Sequence, residues 1–270
     1  MKRKTIGIIG CGVIGSALAE DADKNLKDHI ERIVLFDVDP QKSSTLVRGL
    51  SGAVVVSGID ELVAESDLVL EAATPKVVEE ILKGAISSSK DAMIMSVGGI
   101  LGNEGLLYDA SERGIRILVP SGAIAGIDAV NAAKQAGIES ATIITRKPPA
   151  SIKGAPYLSE NNIDVDNIKE ETVVFEGDAL DAIKGFPKNI NVSALLSIAG
   201  IGPEKTRVKI VISPDYTRNT HEIEIRGKAG TIMTRTENVP SPANPKTSYL
   251  AVLSAIASLR GYFDSVRIGT

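Results

Sequence analysis

A strand-like run, Thr5-Ile6-Gly7-Ile8-Ile9, empties directly into Gly10-Cys11-Gly12-Val13-Ile14-Gly15. Three glycines at that spacing restrict the fold more than any other feature of the chain, because a strand, a tight turn and a close-packed helix must follow one another. Gly10 allows the turn out of the strand, Gly12 lets backbone amides approach an anion, and Gly15 lets the helix settle on the sheet. The N-terminus of that helix offers unpaired N–H groups, which suit a pyrophosphate. A second strand, Ile33–Phe36, ends on Asp37, about 20 residues past the last glycine, where an acid accepts from a ribose 2′-hydroxyl. Residues 10 to 15 with Asp37 therefore point to a bound dinucleotide. An acid at that place favours NAD, since it repels a 2′-phosphate, while Lys42 and Arg48 shortly after it keep NADP open. Asp37 also begins a turn that runs to Pro40, so a purely structural carboxylate is the other reading.

Strand and helix patterns alternate through the first 120 residues, which is the pattern of a doubly wound parallel α/β sheet of the Rossmann kind. Helix Ile14–Leu26 follows the glycines. Further strands are expected at Ala53–Val56, Leu68–Ala72, Met93–Ser96 and Ile115–Val119, and Asp39-Pro40 is a helix start. The fourth strand runs into Ala72-Ala73-Thr74-Pro75 at the carboxyl edge of the sheet, where ligands bind in this architecture. Ala73 and Thr74 there either line the cofactor or simply make a compact turn. After Pro120 the pattern changes to a second, α+β domain. Its helices are expected at Ile127–Gln135, Ala179–Lys184 and Val192–Ala199, and its strands at Ala141–Arg146, Thr172–Phe175, Arg207–Ile212, Glu222–Arg226 and Thr231–Asn238. The last three strands read as an antiparallel meander. Ser159–Asp166 is the most loop-like stretch. A final amphipathic helix, Thr247–Leu259, has Leu250, Leu253, Ala257 and Leu259 for one apolar face. The expected domains are thus residues 1–120, with 247–270 packing back on them, and residues 121–246.

An apolar fraction of 43% in 270 residues supports two sizeable cores. A net charge of −4 argues against nucleic acid or an anionic membrane surface as partner. No stretch approaches a membrane span, and a cytoplasmic protein is expected. The single cysteine, Cys11, excludes an internal disulfide and reads as a small buried residue inside the glycine turn. No cluster of Cys, His or acids has metal-ligand spacing, so no metal is expected.

Chemistry in the second domain has few candidate carriers. Five segments are rich in small, polar and constrained residues: Pro120–Gly126, Thr145–Pro149, Phe186–Val192, Asn219–His221 and Asn244–Ser248. Each alone also reads as a loop or helix cap. Of the two histidines, His29 sits among Lys27, Asp28, Glu31 and Arg32 and reads as a solvated surface residue. His221, at the head of an apolar strand, is the natural general acid-base candidate near neutral pH, or else a strand-edge residue.

Taken together and in order, these segments, with Ile127-Asp128-Ala129, Phe175-Glu176-Gly177 and Leu196–Gly202, resemble the L-aspartate dehydrogenase family over most of the chain. The resemblance implies a Rossmann domain joined to a dihydrodipicolinate-reductase-like α+β domain that dimerises through its sheet, with a C-terminal helix returning to the first domain. By resemblance His221 is the catalytic histidine, Asn191 the asparagine beside the nicotinamide, and Ala123 or its neighbour the cofactor-contacting alanine. The implied reaction is reversible oxidative deamination of L-aspartate by NAD or NADP, through iminoaspartate, to oxaloacetate and ammonia, feeding quinolinate and NAD synthesis. A substrate with two carboxylates requires cationic partners. Lys246, Arg146 and Lys147 are the candidates, with Asn189 as a further substrate-binding residue. Two rivals are another imine or semialdehyde dehydrogenase of the same architecture and a non-catalytic, nucleotide-sensing protein that kept the fold.

Overall fold

The computed structural model describes residues 3–187 and 190–269, which fall into two compact units: residues 1–120 with 252–266, and residues 121–251 with 267–270. Unit 1 alternates strand and helix. Its elements are β1 (Lys4–Ile9), α1 (Val13–Asn25), β2 (Ile30–Phe36), α2 (Pro40–Val47), β3 (Ala53–Val55), α3 (Ile59–Glu65), β4 (Leu68–Glu71), α4 (Val78–Ser87), β5 (Asp91–Ile94), α5 (Gly105–Glu112) and β6 (Ile117–Leu118). The strands form one sheet in the order β3-β2-β1-β4-β5-β6, with every pairing parallel. β1 lies in the middle and is covered on both faces, which is why Ile6, Ile8 and Ile9 are all buried rather than alternating. The strand order reverses between β1 and β4, the place where a doubly wound sheet opens a crevice at its carboxyl edge.

A buried carboxylate holds that edge together. Glu71, the last residue of β4, accepts from the backbone N–H of Ala73 (2.8 Å), Met95 (3.1 Å) and Ser96 (2.8 Å) and from the Ser96 hydroxyl (2.8 Å). Burial raises its pKa and these donors oppose the rise. Asp39 caps α2 through Gln41 N–H, as its Asp-Pro pair predicts.

Unit 2 comprises α6 (Ile127–Ala136), β7 (Ile138–Lys147), α7 (Pro156–Glu160), β8 (Thr172–Asp178), α8 (Ala179–Gly185), α9 (Asn191–Ala199), β9 (Thr206–Ile212), β10 (Asn219–Gly227), β11 (Gly230–Asn238), β12 (Pro240–Ser241) and β13 (Asn244–Ser248). Five of these strands make a mixed sheet in the order β11-β10-β7-β9-β8. The expected meander is therefore only a hairpin, β10–β11. β9 pairs with β7 in parallel, and β7 separates it from β10. Burial decides the pairing over chain proximity: β7 alternates buried Ala141, Ile143, Thr145 and Lys147 and takes the centre, with neighbours on both edges. α9 packs against β7 and β9, and α6 against β10. The stretch expected to be loop contains the end of α7 and a 3₁₀ turn at Val165–Asn167 capped by Asp164.

The C-terminal helix, α10 (Tyr249–Phe263), starts two residues later than expected, because Thr247 and Ser248 belong to β13. Its buried face is Val252, Ala255, Leu259, Tyr262 and Phe263, the last four of which join the core of unit 1. Leu250 and Leu253, assigned to the apolar face from sequence, are exposed. The aromatic pair at the helix end sets the facing stripe, and the leucines at its start fall outside that stripe.

Candidate active site

Gly10 leaves β1 with φ of +94°, and a Cβ there would stand 2.5 Å from the carbonyl oxygen of Ala72. Gly15 is tighter still, since its Cβ would lie 1.8 Å from the carbonyl oxygen of Gly10. Gly12 differs from both: nothing lies within 4 Å of a Cβ built on it, and the first turn of α1 has neither a capping side chain nor an acid. The turn around Cys11, Val13 and Ile14 is thus packed against the sheet on one side and open on the other, with helix N–H groups facing outward. That cradle fits a dinucleotide pyrophosphate. Asp37 accepts from the N–H of Cys11 (2.7 Å) with one carboxylate oxygen and from the N–H of Asp39 (2.8 Å) with the other. It braces the glycine turn and keeps lone pairs for a hydroxyl. A cavity of about 480 Å³ beside it is lined by Cys11, Ser16, Gln41 and Lys42 among others. Ala73 and Thr74 are exposed at the end of β4, next to Gly10. The Cys11 thiol is pushed up to about 12, first by burial and then by the charge of Asp37, and so is no nucleophile.

In unit 2 the register of β10 against β7 sets His221 opposite Thr145. The Thr145 hydroxyl lies 2.9 Å from His221 Nδ1, and this bond orients the ring. Strand alternation puts Lys147 on the same face, and His221, Thr145 and Lys147 are only 5%, 4% and 4% exposed. His221 is pulled down to about 3, first by burial and then by the Lys147 ammonium, while burial pulls Lys147 down to about 8. His221 thus lies inside its strand rather than at its head, and it is neutral near pH 7. A group expected to titrate near neutrality is moved out of that range by desolvation.

A cavity of about 810 Å³ opens where this face ends. Asn219, two residues before His221, and its register partner Asn238 both line it, as does Pro148 directly after Lys147. Its charged lining residues among those described are Lys153, Arg218 and Lys246, with no acid. Lys153 pairs with Asp166, whereas Arg218 and Lys246 have no ion-pair partner among the described residues. Polar side chains along β11 hold the neighbouring segment in place. Asn238 donates to the Ala123 carbonyl (3.0 Å) and accepts from the Ser248 hydroxyl (2.8 Å), and Thr236 also donates to Ala123 (3.0 Å). Thr234 donates to the Ala125 carbonyl (3.0 Å). The Ala123 segment is thereby pinned to one face of β11.

Lys147, Lys246 and Ala123 accordingly lie on elements that meet at or beside the His221 face and its cavity. Arg146 does not. It is carried to the opposite face of the sheet, where it pairs with Glu222, because neighbouring residues on a strand point to opposite sides. Asn191 opens α9 and is exposed, and Asn189 lies outside the described residues. His29 is half-buried and stacked on Phe263 at 5.3 Å rather than fully solvated. Sequence reasoning missed Thr145 as the partner of His221, Arg218 as a cavity cation, and the Thr234, Thr236 and Asn238 row. The signal for that row was present in the alternation of small polar residues along one strand face. Among the described residues no group of His, Cys, Asp or Glu could hold a metal, and no helix is long and apolar enough to cross a membrane.

The chain matches two family profiles, "Homoserine dehydrogenase, NAD binding domain" over residues 10–120 and "Aspartate dehydrogenase, C-terminal" over residues 128–262. The L-aspartate dehydrogenase of Methanococcoides burtonii is 45% identical over 269 residues, covering 98% of this chain and 99% of that protein. That of Nitrosopumilus maritimus is 41% identical over 274 residues, covering 99% and 100%. Among solved structures, aspartate dehydrogenase from Thermotoga maritima superposes with a TM-score of 0.77 at 27% identity, covering 99% of this chain and 100% of that one. A nucleotide-cradling turn in unit 1, a buried His-Lys face in unit 2 and full-length likeness to such enzymes lead to one assignment: the chain belongs to the L-aspartate dehydrogenase family.

Proposed function

We infer that this chain is an NAD(P)-dependent L-aspartate dehydrogenase, which converts L-aspartate reversibly, through iminoaspartate, to oxaloacetate and ammonia. NAD(P)⁺, when bound, supplies the acceptor for the hydride that leaves the α-carbon. In this reading Gly10 to Gly15 and the N-terminus of α1 hold the pyrophosphate, Asp37 takes the ribose hydroxyl, and Ala73, Thr74, Ala123 and Asn191 line the cofactor. Lys42 in the adjoining cavity supports use of NADP as well as NAD.

The observation that carries the substrate assignment is the acid-free cavity at the end of the His221 face. Arg218 and Lys246 in it are the cations that take the two carboxylates, each by charge-assisted bonds. His221, neutral and oriented by Thr145, hydrogen-bonds the reacting amino group and the water that hydrolyses the imine. The chain works in the cytoplasm as a homodimer joined through the outer face of the unit 2 sheet, and its imine feeds quinolinate synthesis. Met233, 75% exposed on that face, supports an interface there. The direct test is NADH or NADPH oxidation with oxaloacetate plus ammonia, set against pyruvate and 2-oxoglutarate with ammonia. Preference for oxaloacetate is expected; equal rates with all three would reject the dicarboxylate assignment. Light scattering tests the dimer.

A further inference from the structure

We propose that Lys147 is the group that takes the proton from the substrate's α-ammonium, with His221 beside it as a neutral hydrogen-bonding ring. The proposal rests on the aspartate reading above. Its geometry comes from β7. Thr145 and Lys147 are two residues apart on one face of that strand, and the register places His221 directly opposite Thr145. With Nδ1 committed to the Thr145 hydroxyl, the ring presents only Nε2 to anything else. Lys147 is the last residue of β7, and the next residue, Pro148, already lines the cavity. Arg146, between the two, is removed to the other face, where it pairs with Glu222, a carboxylate that Arg235 shares. Among the described residues, β9 sets Ile210 and Ile212 on the Lys147 face and Arg207 and Lys209 on the other, and α9 has no titratable residue.

The chemistry requires such a group. Hydride leaves the α-carbon only when the nitrogen has a free electron pair to form the C=N bond, and the substrate arrives as an ammonium. The neutral amine of Lys147 forms a new Nζ–H bond as one substrate N–H bond breaks. The freed nitrogen pair becomes the C=N bond while the C–H pair departs as hydride to the oxidised nicotinamide that the reaction already uses. His221, pulled down to about 3, is too weak a base to take a proton from an ammonium group. Lys147, pulled down to about 8, gains and loses its proton within reach of it.

The chain has only two histidines, so ring ¹⁵N signals of the cofactor-free protein can be assigned directly. His221 is expected to stay in the neutral pattern down to pH 5 and to show a small step with a midpoint near 8 as Lys147 titrates. His29 serves as the reference signal. Lys147→Met and Lys147→Arg should both lose the step. In wild-type kinetics kcat/KM for aspartate should rise with pH to a limb near 8. Lys147→Arg, which keeps the charge but cannot give up its proton, should lose about 10²- to 10⁴-fold in kcat and the limb with it. NADH affinity should stay within about twofold of wild type, well under 1 kcal/mol. A folded Lys147→Arg protein that retains the rate and the limb, or a step that persists in Lys147→Met, overturns the proposal. Wild-type protein is assayed first, and failure to form either NADH or NADPH from aspartate overturns the underlying reading independently of the cofactor-free titration.

Discussion

The two units present their chemistry in opposite ways. Unit 1 offers backbone: bare N–H groups above Gly12, with Gly10 and Gly15 pressed so closely that no side chain fits. Unit 2 offers side chains, and they come from distant parts of the chain. Thr145 and His221 are 76 positions apart, and Ala123 and Asn238 are 115 apart. A backbone site tolerates change in whatever does not touch the turn and fails abruptly where something does. A side-chain site is buried in low dielectric, and its charge states follow from burial as much as from residue type.

The largest effects should separate the two kinds of glycine. Gly15→Ala drives a Cβ against a carbonyl oxygen at 1.8 Å, and a loss of about 3 kcal/mol or more is expected in urea melts. Gly12→Ala meets nothing and should fold within about 0.5 kcal/mol of wild type. Its NADH affinity by fluorescence titration should still fall about tenfold, because the methyl enters the pyrophosphate's space. If Gly12→Ala binds NADH normally, unit 1 is not a backbone site of this kind.

Next in size is the acid response of unit 2. The unfolded chain protonates a histidine near 6.5, whereas native His221 takes its proton only near 3, so the unfolded state binds more protons in between. Stability should therefore fall as pH drops from 6.5 towards 3, with His221 contributing up to about 1.4 kcal/mol per pH unit. Urea midpoints of wild type and His221→Gln at pH 6.5, 5.5 and 4.5 measure the difference. Parallel lines would mean that His221 is hydrated in solution.

Smaller again is the effect on substrate choice. Lys246→Gln and Arg218→Gln should each lower kcat/KM for aspartate by about tenfold or more while leaving alanine turnover nearly unchanged, which narrows the preference between them. If only one variant does so, the other cation serves neither carboxylate. The smallest effect is expected at Asp37. Asp37→Ser removes the acceptor of the Cys11 N–H as well as the charge facing a 2′-phosphate. Affinity for NAD should drop about tenfold while NADP use changes within a few fold, so the ratio shifts towards NADP. An unchanged ratio would leave Asp37 a brace for the turn and nothing more.

How much of this was legible follows the same division. The glycine spacing, the alternation up to Pro120 and the cap at Asp39-Pro40 are local signals, and the parallel sheet with its order β3-β2-β1-β4-β5-β6 agrees with them. That Asp37 spends a hydrogen bond on the glycine turn was not legible, because the partners are 26 positions apart. In unit 2 His221 stood out by its rarity, yet its neutrality depends on cover from elements that sequence does not place. Arg146 and Lys147 looked equivalent as basic neighbours; only a strand register shows that one faces Glu222 and the other the buried face. The face of α10 was misplaced for a related reason, since its stripe is set by the core it meets.

The alternation in β7 has a consequence for how this strand can change by insertion or deletion. Shifting β7 by one residue against β10 would bring Arg146 to the buried face in place of Thr145 or Lys147. A guanidinium never surrenders its charge under physiological conditions, so the ring of His221 would lose its orienting hydroxyl and gain a permanent cation in one event. A gain or loss of two residues would keep the faces in phase. Length changes within Ile138–Lys147 are therefore expected in even steps.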